Sequence, residues 1–339
     1  MRCFLITGAA GFIGAHFTRY LLEAYPDSQL ILVDALTYAG DVQRLEECLG
    51  SARVRLFQLD IADAARMQAV FAAAQPDCVV NLAAESHVDR SLSEPAAFVR
   101  SNVAGTQVLL DLARSAGVRR FLQVSTDEVY GPAPPGVHFD ETSALRPSSP
   151  YSASKAAADL LVLAYHRSFG LPVNITRCTN NYGPGQFPEK LIPLMIAQAL
   201  DDQPLPVYGD GRQVRDWIHV EDHCAALDAV LRRGRSGEVY NIGADDEWEN
   251  IEVVREILTF LHKPESLIRH VADRPGHDRR YAIDSTKLRR ETGWAPRRTF
   301  RTGLAETIRW YIEHRDWWER MRERAAPVRP AVVARGAVE

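Results

Sequence analysis

Residues 3–14 read CFLITGAAGFIG, an apolar run that leads into three glycines, Gly8, Gly11 and Gly14. The run predicts a buried strand, and residues 12–25, FIGAHFTRYLLEAY, have the periodicity of a helix. Between a strand and a helix, glycines permit a tight turn, and the free N–H groups of the helix N-terminus favour a phosphate. The stretch therefore predicts a βα unit that binds a dinucleotide, with contacts from Gly8, Gly11, Phe12, Ile13 and Gly14.

Apolar runs and helical segments alternate in the same way up to about residue 178. The runs are LILVD, VRLFQLD, CVVNLAA, FLQVST and PVNITRC, and helical periodicity separates them. Strands that are buried on both faces of a parallel sheet have such continuous apolar sequences. We therefore expect a Rossmann-like, doubly wound α/β domain of about six strands over residues 1–178.

After residue 178 the chain changes to connections rich in Pro and Gly, such as NNYGPGQFP and QPLPVYGDG. This change predicts a smaller C-terminal substrate-binding lobe over residues 179–324. The short apolar segments RDWIHV and VYNIG suggest that the chain returns to the first sheet, so the boundary need not be clean. Residues 325–339 lack periodicity, and we expect them to be disordered.

Composition limits the classes of partner. The formal net charge of −4 over 339 residues offers no basic surface for a nucleic acid. No apolar stretch approaches the roughly eighteen residues of a membrane span, and the first residues do not resemble a signal peptide. The five cysteines are scattered and lack a C-x-x-C motif, which is typical of reduced thiols in a cytoplasmic protein. The expected partners are small molecules and further copies of this chain.

Two acidic residues follow predicted strands. Asp34 ends the second strand twenty residues after Gly14, where a carboxylate accepts from a ribose 2′-hydroxyl and repels a 2′-phosphate. It therefore predicts NAD rather than NADP. Asp60 ends the third strand, from which it either reaches the adenine or caps the following turn, and the sequence leaves these two alternatives equal.

Tyr151 and Lys155 form Y-x-x-x-K on a helix that follows SSP, and this spacing places both side chains on one face. A tyrosine titrates near 10, so it acts as a base near neutral pH only where a cation stabilises the phenolate. Lys155 is the expected cation. In VSTDEVYG, residues 124–131, Asp127 and Glu128 follow an apolar run. Neighbouring side chains of a strand point to opposite faces, so these two acids can act together only beyond the strand end.

These motifs resemble known families. GAAGFIG, Y-x-x-x-K and a Ser/Thr partner to the tyrosine resemble the extended short-chain dehydrogenase/reductase superfamily. STDEVYG, AAESHVDRS, SPYSASKAAADLLV, NNYGPGQFPEKLIP, VYGDGRQVRDWIHVEDH and DRPGHDRRYAID further resemble the dTDP-glucose 4,6-dehydratases, from residue 1 to about residue 320. The resemblance implies an NAD-dependent dehydration of an NDP-glucose, with dTDP-glucose as the expected substrate, to the 4-keto-6-deoxy sugar.

The resemblance also assigns a role to each catalytic residue. Tyr151 removes the proton of the C4 hydroxyl, and Thr126 donates a hydrogen bond to the C4 oxygen. Glu128 removes the C5 proton, Asp127 protonates the departing C6 hydroxyl, and Lys155 also holds the nicotinamide ribose. Asp127 must then be protonated, which requires a pKa raised by burial or by Glu128.

Further contacts and an assembly are implied in the same way. Additional cofactor contacts involve Thr37, Ile61, Leu82, Ala83, Ala84, Ser86 and Asn181. Contacts with the diphosphate, sugar and base involve Ser86, Thr126, Asn180, Lys190, Leu191, Pro206, Tyr208, Arg215, Asn250, Arg274 and His277. The implied assembly is a homodimer joined through a four-helix interface, formed by helices near 94–116 and 151–169.

Some features leave alternatives open. His219 and His223 have the spacing of metal ligands, but we expect a strand that enters a helix capped by Asp222, and no metal. Gly185 and Trp248 depart from the pattern of the relatives near the expected nucleotide pocket, so UDP or another base stays open.

Two other functions also stay open. A 4-epimerase or decarboxylase of the same fold would not need the Asp–Glu pair. A non-catalytic NAD-binding regulator would need no catalytic residue.

Overall fold

The computed structural model describes residues 1–324, and the tail at 325–339 that was expected to be disordered lies outside the described residues. Strands within this range are β1 (Cys3–Thr7), β2 (Gln29–Asp34), β3 (Val54–Gln58), β4 (Cys78–Asn81), β5 (Arg120–Thr126), β6 (Val173–Cys178), β7 (Asn180–Tyr182), β8 (Leu205–Tyr208), β9 (Val214–His219), β10 (Val239–Ile242), β11 (Glu247–Glu249) and β12 (Ile268–Val271).

The helices of the same range are α1 (Phe12–Ala24), α2 (Glu46–Leu49), α3 (Ala64–Ala74), α4 (Val88–Ser93), α5 (Pro95–Phe98), α6 (Thr106–Ser115), α7 (Pro150–Phe169), α8 (Leu191–Leu200), α9 (Val220–Arg233), α10 (Asn250–Phe260), α11 (Thr286–Thr292), α12 (Phe300–Glu313) and α13 (Arg315–Arg324). Turns of 3-10 helix occur at Val42–Leu45, Asp127–Tyr130 and Glu265–Leu267, and a π-helical turn at Val99–Gly105. None of the helices within residues 1–324 is long and apolar enough to cross a membrane.

Seven strands form the main sheet in the order β3-β2-β1-β4-β5-β6-β10, and every neighbouring pair is parallel. Alternate side chains of β1 enter different cores: Phe4 and Ile6 pack on one face, and Leu5 on the other. Helices therefore cover both faces, which confirms the doubly wound fold. The strand order reverses between β1 and β4, where such sheets bind ligands beyond the carboxyl ends of their strands.

The two short apolar segments, VYNIG and RDWIHV, lie in different sheets. VYNIG supplies β10, which pairs with β6 at the edge of the main sheet. RDWIHV instead supplies β9, the centre of a three-stranded sheet with the order β11-β9-β7, so its expected return to the first sheet is wrong. Trp217 of β9 packs in the core of the second lobe, beside Phe300. A short apolar run shows that a strand is buried, but not which sheet buries it.

Helix boundaries show how local chemistry and packing compete. Ser149 caps α7 by accepting from the Ser152 N–H at 3.1 Å, and Pro150 occupies the first turn. The single helix expected near 94–116 is instead α5, a π-helical turn and α6 in succession. Gly105 lies in that turn, where a Cβ would come within 2.6 Å of the Ile61 side chain. Close packing of Gly105 against Ile61 accompanies the change from α-helical to π-helical winding.

Candidate active site

A cavity of about 330 Å³ extends along the carboxyl ends of β1, β2, β4, β5 and β6. The glycine turn after β1 lines one part, and Thr126 at the end of β5 lines another. Because the strands are parallel, segments that are far apart in the sequence all end at this edge. The cavity is therefore one continuous site that contains both the glycine turn and the predicted catalytic residues.

The glycine turn is closely packed. Gly8 has a φ of +66°, and a Cβ there would come within 2.7 Å of the backbone of Leu82 and Ala83 after β4. A Cβ on Gly14 would collide with the carbonyl oxygen of Gly8. The turn therefore accepts only glycine at these two positions, and it leaves the N-terminus of α1 open to the cavity.

Asp34 ends β2 as predicted, and its carboxylate faces the turn. Oδ2 accepts from the Ala10 N–H at 2.9 Å, and Oδ1 accepts from the Leu36 N–H at 2.8 Å. Burial raises the pKa of Asp34, and these N–H groups oppose the shift because they stabilise the charged form. The carboxylate is thus held in one orientation at the cavity wall, where it can accept from a hydroxyl of a ligand.

Asp60 lines the cavity but is also the turn cap that the sequence left as an alternative. Its Oδ1 accepts from the Ala62 N–H at 2.8 Å. Its Oδ2 accepts from Nε and Nη2 of Arg100, at 3.1 and 2.9 Å. Both oxygens therefore have partners in the protein, and the structure supports a cap more directly than an adenine contact.

The predicted carboxylate pair lies just beyond β5. Thr126 ends the strand, and its Oγ1 accepts from the Glu128 N–H at 3.2 Å, which starts a 3-10 turn. The same hydroxyl donates to Oδ1 of Asp127 at 3.2 Å. Because the turn replaces the alternation of a strand, Thr126, Asp127 and Glu128 all line one cavity.

Both acids have raised pKa values. Burial is the main cause for Asp127, and the Glu128 charge adds to it, so that its pKa rises to about 8. Burial also raises the pKa of Glu128, while the cations of Arg274, Arg215 and Lys190 lower it. Oδ2 of Asp127 has no hydrogen-bond partner within residues 1–324. The pair therefore offers a carboxyl that keeps its proton at neutral pH beside a second acid with cations nearby.

Tyr151 and Lys155 line the same cavity from α7. Burial and the Glu128 charge raise the pKa of Tyr151 well above 10, opposite to the direction expected from Lys155. Nζ of Lys155 donates to the carbonyl oxygen of Val124 at 2.7 Å, which directs the ammonium toward β5. A spacing of four residues places two side chains on one face of a helix, but it does not determine the hydrogen-bond partner of either one.

A buried ion pair lies one helical turn beyond Lys155. Arg177 on β6 donates Nε to Oδ2 of Asp159 at 2.9 Å, and both side chains are almost fully buried. Burial lowers the pKa of Lys155, and the Asp159 charge opposes that shift. Arg177 also donates to the hydroxyl of Tyr130 at 2.9 Å. The charge of Asp159 thus supports the protonated form of Lys155 from behind the cavity.

The cavity brings together most of the predicted site residues. All the predicted cofactor-binding and catalytic residues line it: Gly8, Gly11, Phe12, Ile13, Gly14, Asp34, Thr37, Asp60, Ile61, Leu82, Ala83, Ala84, Ser86, Thr126, Asp127, Glu128, Tyr151, Lys155 and Asn181. Four of the predicted substrate residues line it as well: Ser86 and Thr126, with Asn180 and Lys190. Nζ of Lys190 donates to the Ser86 carbonyl oxygen at 2.9 Å, which joins α8 of the second lobe to the β4 edge.

The other predicted substrate residues do not line this cavity: Leu191, Pro206, Tyr208, Arg215, Asn250, Arg274 and His277. Several of them have protein partners instead. Asp89 of α4 accepts from Nη1 of Arg274 at 2.9 Å and from the Tyr208 hydroxyl at 3.1 Å. Nδ1 of His277 lies 2.6 Å from Oδ1 of Asp273.

Arg215, by contrast, bonds to backbone groups, and it donates to the carbonyl oxygens of Val214 and Asp278. Arg215 and Arg274 nevertheless lie close enough to Glu128 to influence its pKa. Arg215 and Arg274 therefore lie on the second-lobe side of the predicted acid pair.

The HVEDH segment forms the expected strand and helix, β9 and α9, but the expected cap is wrong. Nδ1 of His219 accepts from the Glu221 N–H, whereas Asp222 lies within the first turn of α9. Nδ1 of His223 lies 2.8 Å from Oδ1 of Asn181. Residues 1–324 contain no group of three or more His, Cys, Asp or Glu side chains placed to hold a metal ion.

Gly185 is accounted for by its backbone conformation, and Trp248 by packing. Gly185 has a φ of +77°, and a Cβ there would lie 3.9 Å from the Trp310 ring of α12. The Trp248 ring lies 5.0 Å from that of Phe300, and its Nε1 donates to Asp246 at 2.7 Å. Neither residue lines the cavity.

Some cavity residues were missed from the sequence. Cys178 ends β6 and Thr179 follows it, and the rule that located Thr126 at the end of β5 could have found them. Arg44, in the 3-10 turn Val42–Leu45, and Gln186, within NNYGPGQFPEKLIP, also line the cavity, but their own positions in these segments carry no signal of a contact. Only the folded chain identifies such residues.

Comparisons with known proteins agree with this geometry. The model of the GDP-mannose 4,6 dehydratase family matches residues 5–307. The dTDP-glucose 4,6-dehydratase of Xanthomonas campestris is 51% identical over 336 residues, which cover 94% of this chain and 95% of the relative. The dTDP-glucose 4,6-dehydratase of Streptomyces griseus is 52% identical over 317 residues, with coverages of 93% and 95%.

Solved structures extend the comparison. The dTDP-glucose 4,6-dehydratase of Streptomyces venezuelae, solved with NAD and dTDP bound, has a TM-score of 0.91 and 50% identity, and the match covers 94% of this chain and 99% of that one. The UDP-glucose 4-epimerase of Thermotoga maritima has a TM-score of 0.86 but only 28% identity, with coverages of 92% and 99%. The family predicted from the motifs is therefore confirmed. This chain belongs to the GDP-mannose 4,6 dehydratase family and, within it, to the dTDP-glucose 4,6-dehydratases.

Proposed function

We propose that this chain is an NAD-dependent hydro-lyase that converts dTDP-glucose to dTDP-4-keto-6-deoxyglucose. The observation that carries the proposal is the acid pair after β5, in which Asp127 has a pKa of about 8 and Glu128 lies beside it. Elimination of water across C5 and C6 needs one base and one acid. An epimerase or a decarboxylase of this fold has no use for the pair.

The cavity fits a dinucleotide. Gly8 and Gly14 leave no space for a Cβ, and the open N-terminus of α1 is suited to a pyrophosphate. The carboxylate of Asp34 is suited to a ribose hydroxyl and disfavours the 2′-phosphate of NADP. When bound, NAD would accept a hydride from C4 and return one to C6, and its nicotinamide would add a positive charge.

The first proton transfer is assigned to α7 and β5. Tyr151 accepts the proton of the C4 hydroxyl, and the hydroxyl of Thr126 donates to the C4 oxygen. Because burial raises the pKa of Tyr151, this step depends on nearby positive charge. Lys155 is the cation that the protein supplies, with the Asp159 charge behind it.

The elimination is assigned to the acid pair. Once C4 is a ketone, the C5 proton is acidic enough for the Glu128 carboxylate to remove. Asp127 gives its proton to the C6 hydroxyl, which departs as water. Glu128 exchanges the proton it took with solvent and returns one to C5 as C6 is reduced, and solvent restores the proton of Asp127. C4 is oxidised and C6 is reduced in the same molecule, so the reaction consumes no external oxidant or reductant.

Lys190, Arg215 and Arg274 are proposed to bind the diphosphate, because each is a cation close to the Glu128 side of the site. Ser86, Leu191, Pro206, Tyr208, Asn180, Asn250 and His277 complete the proposed substrate contacts. The identity of the base is supported by the dTDP-glucose dehydratases that are about half identical to this chain. We place the lobe boundary near residue 178, with β10 returning to the first lobe.

A homodimer is proposed through the helices near 94–116, which include α5 and α6, and through α7. Leu160 and Phe169 of α7 are 60% and 53% exposed, and Val99 is 57% exposed. Exposed large apolar side chains of this kind are found at interfaces between protein chains. A monomeric mass in light scattering at micromolar concentration would contradict this part of the proposal. A cytoplasmic location is also proposed, since all five cysteines are free thiols.

The function is tested with dTDP-glucose that carries deuterium at C4. We expect a 4-keto-6-deoxy product with this deuterium in the C6 methyl group, and solvent deuterium at C5 when the reaction runs in D2O. Deuterium retained at C4 would indicate an epimerase, and no turnover would indicate a regulator. UDP-, GDP- and CDP-glucose assayed in parallel would identify the base that the enzyme selects.

A further inference from the structure

One arginine joins four segments of the chain at the Asp34 end of the cavity. Arg44 donates Nη1 to the carbonyl oxygens of Ala10 and Ala39, at 3.1 and 2.8 Å. Its Nε donates to the Gly185 carbonyl oxygen at 2.9 Å. Its guanidinium lies 5.0 Å from the ring centroid of Trp317 in α13. The glycine turn, the loop after β2, the loop after β7 and the C-terminal helix therefore meet at one side chain.

The same C-terminal helix holds the loop that follows β2. Nε1 of Trp317 donates to Oδ2 of Asp41 at 2.9 Å, and Asp41 is only 7% exposed. Arg324 donates to the carbonyl oxygen of Gly40 at 2.9 Å. Thr37, Ala39 and Gly40 line the cavity next to Asp34, so this loop is its wall.

The opposite wall is also attached to the C-terminal helices. The hydroxyl of Tyr311 donates to the carbonyl oxygen of Gln186, which lines the cavity. Trp310 covers the open side of Gly185, and its ring centroid lies 5.1 Å from that of Trp317. Both walls are thus fixed to one aromatic cluster on α12 and α13.

The other side of α13 is anchored to the second lobe. Arg322 donates Nη1 to Oδ2 of Asp201 at 2.8 Å, just after α8, and Arg315 contacts the same carboxylate. The helix therefore spans from the second lobe to the wall of the cavity. Its Trp317 side faces the wall, and its Arg322 side does not.

We propose that Arg44, Trp317 and Asp41 form a clasp. This clasp sets how long NAD stays bound. Its members are positioning residues, which fix the walls and do no chemistry. The inference rests on the proposed function, in which NAD is regenerated in every cycle and turnover does not require its release. Release of the cofactor requires the loop after β2 to separate from α13 and from the Gly185 loop.

The test measures exchange of bound NAD, with no substrate present. Full-length protein loaded with NAD is mixed with an excess of isotopically labelled NAD, and the bound fraction is followed by mass spectrometry. We expect Trp317→Leu and Arg44→Met to exchange at least about tenfold faster than wild type, since each breaks the clasp. Trp317→Phe keeps the ring but loses the N–H group, and we expect an intermediate rate.

Arg322→Ala is the matched control on the same helix. It removes the contact with Asp201 and leaves the clasp intact, so its exchange rate is expected within about twofold of wild type. The double variant of Arg44 and Trp317 is expected to exchange more slowly than the product of the two single increases, because the two side chains share one contact within the clasp. If Arg44→Met does not fold, Asp41→Ala replaces it.

Two outcomes would overturn the clasp: unchanged exchange in Trp317→Leu and Trp317→Phe, or equally fast exchange in Arg322→Ala. Wild-type turnover of dTDP-glucose is measured separately. If wild type makes the 4-keto-6-deoxy sugar but Trp317 variants exchange normally, only the clasp is wrong. If wild type makes no product although the variants release NAD faster, the clasp stands and the proposed function fails.

Discussion

The edge of the main sheet and the second lobe hold their predicted functional groups in different ways. After β5, Oδ2 of Asp127 is buried and has no partner within residues 1–324. In the second lobe, Arg274 and Tyr208 already share the carboxylate of Asp89, and His277 contacts Asp273. The acid after β5 therefore has a free oxygen and need not break a contact within the protein before it meets a ligand. Groups of the second lobe must exchange a protein partner for a ligand.

This difference predicts that changes at the strand ends reduce the rate, whereas changes in the second lobe alter binding by smaller factors. A buried acid with one unpaired oxygen has a protonation state set mainly by burial, so its loss removes a chemical step. An arginine that exchanges a carboxylate partner for a phosphate contributes to the binding free energy only the difference between two similar ion pairs.

The largest effect is expected for Glu128→Gln, which should lower kcat by roughly 10²- to 10⁴-fold, since no base remains for the C5 proton. Oxidation at C4 should continue, so absorbance of reduced nicotinamide should accumulate on the enzyme. Tyr151→Phe should lack that absorbance because it fails earlier. Glu141→Gln is the control: Glu141 is also buried enough to have a raised pKa, but it lies outside the cavity. Full product formation by Glu128→Gln would refute the base assignment.

The next effect concerns Asp127 and pH. Burial and Glu128 raise its pKa to about 8, so the carboxyl is protonated below that pH and ionised above it. Because the acid must donate a proton, we expect kcat to fall as the pH rises through about 8. Asp127→Asn should be roughly 10²-fold slower and should lack this decline. A wild-type rate that increases through the same range would contradict the acid role.

Asp34→Ala should weaken NAD binding by roughly tenfold, measured by calorimetry, since it removes a charged hydrogen-bond acceptor. The ratio of the Kd values for NADP and NAD should fall, because the charge that repels a 2′-phosphate is gone. Asp34→Asn retains an acceptor but not the charge, so it separates the two contributions. An unchanged ratio in both variants would show that Asp34 does not select the cofactor.

The smallest effect, and the one with the opposite sign, is expected in the second lobe. Asp89→Asn should bind dTDP about threefold more tightly, because Arg274 no longer has a competing carboxylate. Arg274→Ala should bind dTDP more weakly. Asp210→Asn, which breaks an exposed ion pair with Arg279, is the control and should leave the Kd unchanged. Weaker binding by Asp89→Asn would mean that Asp89 orients Arg274 rather than competing for it.

Predictions from the sequence succeeded where a structural feature depends on residues that are close together in the sequence. The glycine turn, the end of β2 at Asp34 and the start of α7 after SSP all occur as expected. Each is fixed by the backbone requirements of a few consecutive residues. RDWIHV and the cap of α9 were wrong, because a choice between two sheets, or between His219 and Asp222, depends on distant packing.

The direction of the Tyr151 pKa could not be read from the Y-x-x-x-K spacing. It is dominated by burial and by Glu128, which approaches from a different element. Arg44 shows the same limit, since its partners come from residues 10, 39, 185 and 317. None of these contacts has a signature in the sequence around it.

The sequence by itself determined the parallel sheet, the dinucleotide turn and the position of the acid pair after β5, because strand ends and glycine turns are local properties of the chain. The tertiary structure alone decided how far burial acts on the acid pair, which cations lie near Glu128, and how α13 meets the wall of the cavity. Burial and long-range contacts arise only when distant segments pack together, and they set both pKa values and partners.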